Sequence, residues 1–150
     1  MRVHPRRLLC NVAGDFYATG ENPKPGEPRP RWMGDCLKCY GPESQAQELL
    51  AEINNENTTT YFVRHPETEL EIERACRAVQ NCCVDALRYS GQNSAIIIRL
   101  GNNPAHCDYL IGKDERLVYC LNENGELLPW AEEIRNAIGM GIKVPSVPNL

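Results

Sequence analysis

Cysteine is the residue type in this sequence with the clearest capacity for chemistry. The chain has eight cysteines. They include one Cys-x2-Cys motif and one adjacent pair, and they stand at positions 10, 36, 39, 76, 82, 83, 107 and 120. In a cytosolic chain this uneven, partly clustered spacing favours metal binding or redox chemistry over a disulfide framework. We expect Cys10, Cys107 and Cys120, which stand apart from the clusters, to be buried thiols that act as small hydrophobic side chains.

The sequence offers no other convincing set of reactive residues. His4, His65 and His106 are isolated from one another, and we expect each to be a surface or core residue. A catalytic thiol-disulfide Cys-x2-Cys normally opens a helix within a βαβ pattern. Here Tyr40-Gly41-Pro42 follows the motif, which disfavours that reading. The sequence therefore predicts a protein that is not an enzyme.

The bulk properties exclude several classes of protein. The chain has 150 residues, 42% of them hydrophobic, and a formal charge of −4. A mildly acidic chain lacks the basic surface that nucleic-acid binding requires, whereas acidity suits a basic protein partner. No apolar run approaches the roughly 18 residues of a membrane span, and residues 1–10 lack the apolar stretch of a secretory signal. We therefore expect a cytoplasmic protein.

The pattern of apolar and turn-forming residues predicts an α+β protein of short strands and helices. Ser44 and Gln47 resemble a capping box before an apolar helical face that ends at Ile53, and Thr68 and Glu71 form a second capping box. The helices are predicted at 44–53, at 69–80 and from Pro129 to a stop at Gly139. The strands are predicted at 12–18, 58–64, 86–89, 95–100, 109–111 and 117–121, the last two as a hairpin.

The cysteine clusters fall where the predicted helices meet loops. A Cys36-Leu37-Lys38-Cys39 loop can curl around an inorganic core and direct backbone N–H groups toward its sulfides. Cys82-Cys83 comes directly after a capped amphipathic helix and can close such a site from the other side. Together the two segments are a stronger signal than Cys-x2-Cys alone.

From about Asn11 to Gly91 the sequence resembles single-cluster bacterial ferredoxins, the 4Fe–4S ferredoxin family. The matching segments are Gly14-Asp15-Phe16-Tyr17, Cys36-Leu37-Lys38-Cys39, Tyr61-Phe62-Val63-Arg64, Pro66-Glu67-Thr68 and Cys82-Cys83-Val84-Asp85-Ala86-Leu87. The resemblance implies a ferredoxin-like core of short strands and two helices, an electron-transfer function and a redox protein as partner. It also implies that Cys36 and Cys39 are the first two cluster ligands and that Cys82 is the distal ligand.

Two positions depart from the pattern of that family. Pro42 stands where the third cysteine of the first motif is expected, and Cys83 replaces the proline that follows the distal cysteine. We take Cys83 as the substitute fourth ligand, although neighbouring side chains of an extended segment point in opposite directions. Cys76, which precedes the pair on the predicted helix, is the other candidate.

The resemblance predicts a ferredoxin-like domain over residues 1–91, with a proline-rich insertion at 20–34. Residues 92–150 lie outside it and form a predicted C-terminal extension, a β-hairpin and a helix that pack on the core. Two other functions remain open on the sequence alone. Four thiolates from two loops also suit a structural zinc site, and a ferredoxin-fold interaction module without a cofactor is consistent with the cysteine missing at Pro42.

Overall fold

The computed structural model describes residues 3–26, 33–35, 45–53, 59–82 and 85–149, without the side chains of Ile53 and Thr59. Within these ranges the chain forms eight short strands, three α-helices and one 3-10 turn. The strands are β1 (Phe16–Ala18), β2 (Gly20–Glu21), β3 (Met33–Gly34), β4 (Leu50–Ile53), β5 (Thr59–Phe62), β6 (Leu87–Tyr89), β7 (Tyr109–Ile111) and β8 (Leu117–Tyr119). The helices are α1 (Glu69–Gln80), α2 (Ser94–Arg99) and α3 (Pro129–Met140), and the 3-10 turn is Lys113–Glu115.

The strands form antiparallel pairs, β1 with β6, β2 with β3, β4 with β5 and β7 with β8. The β1–β6 pair joins two strands that are far apart in sequence, with Phe16 opposite Tyr89 and Ala18 opposite Leu87. The β7–β8 hairpin, with Tyr109 opposite Tyr119, confirms the predicted hairpin. The molecule is thus of the predicted α+β class at the level of short antiparallel strand pairs and helices.

Helix α1 begins and packs as the sequence predicts. The Thr68 Oγ1 accepts a hydrogen bond from the Glu71 N–H at 3.1 Å, and a Glu71 carboxylate oxygen accepts one from the Thr68 N–H at 3.3 Å. This capping box satisfies backbone donors that the first turn leaves without partners. Ala75, Cys76 and Val79 are buried, whereas Ile72 is only partly buried at the edge of the core.

Two predicted elements are of the wrong type. The helix predicted at 44–53 is wrong over residues 46–53, where a turn begins at Ala46, whose carbonyl accepts from the Leu49 and Leu50 N–H groups, and β4 follows; Ser44 lies outside the described residues. Pairing of β4 with the Thr-rich strand β5, Leu50 opposite Phe62, outweighs the helical spacing of the apolar residues. A turn before a strand buries Ala46, Leu49 and Leu50 just as a helix would.

The strand predicted at 95–100 is in fact helix α2. The Asn93 side chain accepts hydrogen bonds from the Ala95 and Ile96 N–H groups and so caps the helix. Ile97 and Leu100 are buried whereas Ile98 is 66% exposed, which a continuous buried strand would not give. Helix α3 also runs past the predicted stop at Gly139 and ends at Met140, where Gly141 caps it with the left-handed φ of 67° typical of a helix C-terminus.

A single hydrophobic core contains residues from both sides of the predicted boundary at residue 91. Phe16, Phe62, Val79 and Leu87 lie in it together with Ile97, Leu110, Cys120 and Ile134. On β6, the buried Arg88 Nε donates to Asp108 Oδ1 at 2.7 Å, and the guanidinium also donates to the carbonyls of Pro104, Ala105 and Cys107. The side chain of one residue before position 91 therefore satisfies several backbone carbonyls after it.

Candidate functional site

The structure describes one of the four predicted ligands. Cys82 is described, whereas Cys36, Cys39 and Cys83 lie outside the described residues, as does Pro42. The geometry of the candidate site is therefore built from Cys82 and from the described residues that flank the two cysteine segments. Asp35 directly precedes Cys36, and Asp85 and Ala86 follow Cys82-Cys83.

Cys82 lies directly beyond the C-terminal end of α1. Asn81 caps the helix, its backbone N–H donating to the carbonyls of Arg77 and Val79, and the Cys82 N–H also donates to Val79 at 3.3 Å. The Cys82 side chain is 3% exposed. Its sulfur accepts a hydrogen bond from the Ala86 N–H, with 3.2 Å between the nitrogen and Sγ. Burial together with a backbone N–H donor is the environment that cluster-binding thiolates have.

Thr19 connects two residues that flank the cysteine segments, Asp35 and Ala86. Its N–H donates to the Ala86 carbonyl at 2.8 Å, and its own carbonyl accepts from the Asp35 N–H at 3.0 Å. The Thr19 hydroxyl lies 2.8 Å from Asp35 Oδ2 and 3.2 Å from the Ala86 carbonyl oxygen. Asp35 is bonded to Cys36, and Ala86 donates to the Cys82 sulfur. The residue directly after β1 thus holds Asp35, which precedes the first cysteine segment, close to Ala86, which follows the second.

The β1–β6 pairing is the reason that Thr19 lies there. Ala18, the last residue of β1, is opposite Leu87 in that pair, so the residue after the strand reaches Ala86 in an antiparallel register. The short β2–β3 pair, with Gly20 opposite Gly34, brings Asp35 back to the same place. Gly20 is required for this close approach, because a Cβ atom there would lie 2.3 Å from the Met33 carbonyl oxygen.

A polar cavity of about 360 Å³ lies beside these residues. Asp35 and Asp85, one from the flank of each cysteine segment, both line it. Its other walls come from the N-terminal segment, from β6 and from the C-terminal part of the chain; the charged or titratable residues among them are His4, Arg6, Arg88, Glu126, Glu132 and Arg135. Arg6 forms a salt bridge of 2.6 Å with Asp35.

Cys76, Cys107 and Cys120 are buried packing residues, whereas Cys10, which was also predicted to be buried, is only partly buried at the edge of the core. Cys76, the alternative ligand, is buried in the core, and burial raises the pKa of its thiol to about 11. Burial likewise raises the pKa of the Cys107 and Cys120 thiols to about 12. The Cys120 sulfur donates to the Cys107 carbonyl at 3.2 Å. Thiols with such pKa values are protonated and inert at neutral pH.

The three histidines lie in three different environments. His4 is buried, and its Nδ1 accepts the Arg6 N–H at 3.0 Å. His65 is exposed beside Gly14. His106 is partly buried, and its Nδ1 has no hydrogen-bond partner among the described residues. Desolvation by burial lowers the pKa of both His4 and His106.

Sequence reasoning missed the residues that frame the site. Thr19, Asp35 and Arg88 carry no local signal of such a role, because their partners are contributed by distant segments. Asp85 has a weak signal, since an aspartate can take the left-handed conformation that it adopts here, with φ of 55°. Within the described ranges, no three His, Cys, Asp or Glu side chains lie close enough together to hold a metal ion.

Comparison of the chain with protein-family models, with curated proteins and with solved structures gives no match. No helix among the described residues has the length and apolarity needed to cross a membrane.

Proposed function

We propose that this protein is a ferredoxin-like electron-transfer protein that binds one iron–sulfur cluster through Cys36, Cys39, Cys82 and Cys83. The observation that carries the proposal is the bridge at Thr19, which hydrogen-bonds both to Asp35, the neighbour of Cys36, and to Ala86, the N–H donor to Cys82. A cluster bound by two distant cysteine segments requires that those segments meet. The bridge brings their flanks together.

The environment of Cys82 fits such a cofactor. A thiolate ligand needs a hydrogen-bond donor at its sulfur and little water around it, and Cys82 has the Ala86 N–H and an exposure of 3%. The bound cluster would supply one-electron transfer, and the residues of the chain would hold it, exclude water and donate N–H groups to its sulfurs. The other thiols, Cys10, Cys76, Cys107 and Cys120, are separate in sequence from both segments.

Metal and sulfide analysis of protein purified without oxygen tests this proposal. We expect a brown protein with iron and acid-labile sulfide, and loss of most of both in Cys82→Ser. Cys107→Ser is the matched control, because Cys107 is also a fully buried cysteine but belongs to neither segment. The control should keep the iron content of the parent, and circular dichroism of all variants should show that they are folded.

Variants of Cys83 and Cys76 then identify the fourth ligand. Iron loss in Cys83→Ser with full loading in Cys76→Ser supports Cys83, and the reverse result supports Cys76. Zinc in place of iron in the parent would replace the electron-transfer proposal by a structural zinc site. A parent without metal, after anaerobic purification and attempted reconstitution, would leave an interaction module and reject the proposal.

A further inference from the structure

A second cavity, of about 430 Å³, is lined by residues of β1, β6, α1 and α2. It shares no lining residue with the polar cavity described above, and the described part of its lining contains no cysteine. Cavities of this size enclose small organic ligands, which bind mainly to apolar walls and are oriented by a few polar groups. The cavity is therefore a candidate ligand site that is independent of any metal cluster.

The walls of this cavity are apolar and partly aromatic. Ile72 of α1 and Ile96 of α2 both line it, and the core leaves both of them only partly buried. Phe16 and Tyr89 line it as well, with their ring centroids 4.9 Å apart. An aromatic group in the cavity would cover the two isoleucines and pack against the two rings, which is favourable because it removes apolar surface from water.

The Tyr89 hydroxyl is a hydrogen-bond donor to which the described residues offer no acceptor. Its oxygen accepts the Asn93 N–H at 3.3 Å, and Tyr89 and Asn93 both line the cavity. Tyr89 is only 2% exposed, and burial raises the pKa of its phenol to about 12, so the proton stays on the oxygen. An unsatisfied buried donor is costly, and a ligand oxygen in the cavity would satisfy this one.

The rim of the cavity is acidic. Asp15 and Glu67 line it, whereas no lysine or arginine does among the described residues. Both carboxylates are exposed, and neither takes part in a salt bridge within the described ranges. His65 is the other charged or titratable side chain of the described rim. Two unpaired carboxylates beside an apolar wall favour a cationic ligand and disfavour an anionic one.

We propose that this cavity binds an aromatic compound that carries a primary ammonium group next to a carbonyl group. The aromatic group covers Ile72 and Ile96, the carbonyl oxygen accepts from Tyr89, and the ammonium group lies at the acidic rim. Two kinds of molecule contain this arrangement without a neighbouring carboxylate, namely a free aromatic amino-acid amide and the amino terminus of a peptide that begins with an aromatic residue.

Titration of the full chain with phenylalaninamide, followed through its isoleucine methyl signals in NMR spectra, tests the proposal. We expect the signals of Ile72 and Ile96 to shift, and that of Ile134, which is buried and does not line the cavity, to stay in place. N-acetylphenylalaninamide keeps the ring and the carbonyl group but has no positive charge, and phenylalanine adds a carboxylate. Both should bind more weakly than phenylalaninamide.

Two variants remove the polar groups of the site. Tyr89→Phe removes the donor and should weaken binding by about two- to tenfold. Tyr61→Phe is its control, because Tyr61 is a partly buried tyrosine of β5 that does not line the cavity. Asp15→Asn combined with Glu67→Gln should weaken binding by up to about fivefold for each carboxylate.

The control for the carboxylate variant is Asp114→Asn combined with Glu115→Gln, because these two carboxylates are exposed in the β7–β8 turn and do not line the cavity. Both control variants should bind phenylalaninamide as the parent does. Circular dichroism shows whether each variant is folded. If Tyr89→Phe does not fold, the carboxylate variant decides.

The proposal is overturned if Ile72 and Ile96 do not shift at millimolar phenylalaninamide, or if N-acetylphenylalaninamide binds equally well. Parent-like affinity in a folded Tyr89→Phe or in the carboxylate variant also overturns it. The peptide Phe-Gly-Gly-amide distinguishes the two sources of the ligand. Tighter binding of the peptide than of phenylalaninamide identifies a peptide terminus, and equal or weaker binding identifies a free compound; either result supports the site.

Discussion

Arg88 and Asp108 form a salt bridge of 2.7 Å whose two side chains are almost completely buried. Tyr17 donates to the second carboxylate oxygen of Asp108, also at 2.7 Å, so the carboxylate is satisfied on both sides. Burial and the neighbouring carboxylate of Asp108 raise the pKa of the Tyr17 hydroxyl above its usual range, and the phenol stays protonated as a donor. The network joins β1, β6 and the segment before β7.

Asp108→Ala should therefore destabilise the protein strongly. It leaves Arg88 as a buried cation without its counter-charge, and breaking such a pair costs about 3–5 kcal/mol. Urea denaturation gives the free energy of unfolding. Arg77→Ala is the control, because Arg77 pairs with Glu73 on an exposed face of α1, where such a pair contributes about 0–1 kcal/mol. If Asp108→Ala and Arg77→Ala lose equal free energy of unfolding, burial of the ion pair does not determine its contribution to stability.

The capping box of α1 gives a second prediction. Thr68→Ala removes the oxygen that accepts the Glu71 N–H and should lower the free energy of unfolding by about 0.5–2 kcal/mol. Thr68→Ser keeps a hydroxyl at the same position and should lose much less. The same urea experiment measures both. A Thr68→Ser variant as unstable as Thr68→Ala would show that the hydroxyl is not the important group.

Gly125 is expected to tolerate alanine less well than Gly101 does. Both have left-handed φ, 78° and 84°, but a Cβ atom on Gly125 would lie 2.4 Å from His4 Cε1, whereas nothing lies within 4 Å at Gly101. The left-handed conformation alone costs an alanine about 1–2 kcal/mol, and Gly125→Ala should lose more because the His4 ring must also move. Adding His4→Ala to Gly125→Ala gives a double-mutant cycle, in which the combined loss should be smaller than the sum of the single losses. Additive losses would mean that the two residues do not contact each other.

Acid should weaken the packing of the N-terminal segment. Desolvation by burial is the largest influence on His4 and lowers its pKa, so the unfolded chain binds a proton more readily than the folded chain does. The contribution of His4 to stability is complete above its unfolded pKa of about 6.5 and is lost as the pH falls through the lower folded value. His106 shifts in the same direction and adds to the effect.

Unfolding free energies measured between pH 8 and pH 5 test this expectation. The parent should lose stability over that interval, and His4→Gln should lose less of it. His65→Gln, at an exposed position, should follow the parent. A His4→Gln variant with the same pH dependence as the parent would contradict the assignment to His4.

The elements that were predicted correctly are those whose signals are local. Helix α1 is defined by a capping box and an apolar face within twelve residues, and the β7–β8 hairpin by two apolar runs around a short turn. The identity of β4 depends on its partner β5, and α2 depends on a cap at Asn93 that competes with the strand preference of three successive isoleucines. In both cases a short apolar run fits a helix and a strand equally well.

In the candidate site, too, the features with a local sequence signal were predicted and those that depend on distant residues were not. The cysteine spacing indicated which segments to consider, but the Thr19 bridge that brings Asp35 near Ala86 follows from the register of the β1–β6 pair. Register between strands about seventy residues apart leaves no mark on local sequence. The assignment of Cys36, Cys39, Cys82 and Cys83 as ligands stays a prediction, as does the boundary at residue 91.

The hydrogen bonds from Arg88 to several backbone carbonyls restrict which substitutions this sequence can accept over evolution. The carbonyls of Pro104, Ala105 and Cys107 all accept from that one guanidinium, and lysine cannot replace it because a single ammonium group does not reproduce the planar fork of donors. Arginine at position 88 and the segment 104–108 should therefore be inherited together. A homologue that ends near residue 91 is expected to carry a different, uncharged residue at the equivalent of Arg88.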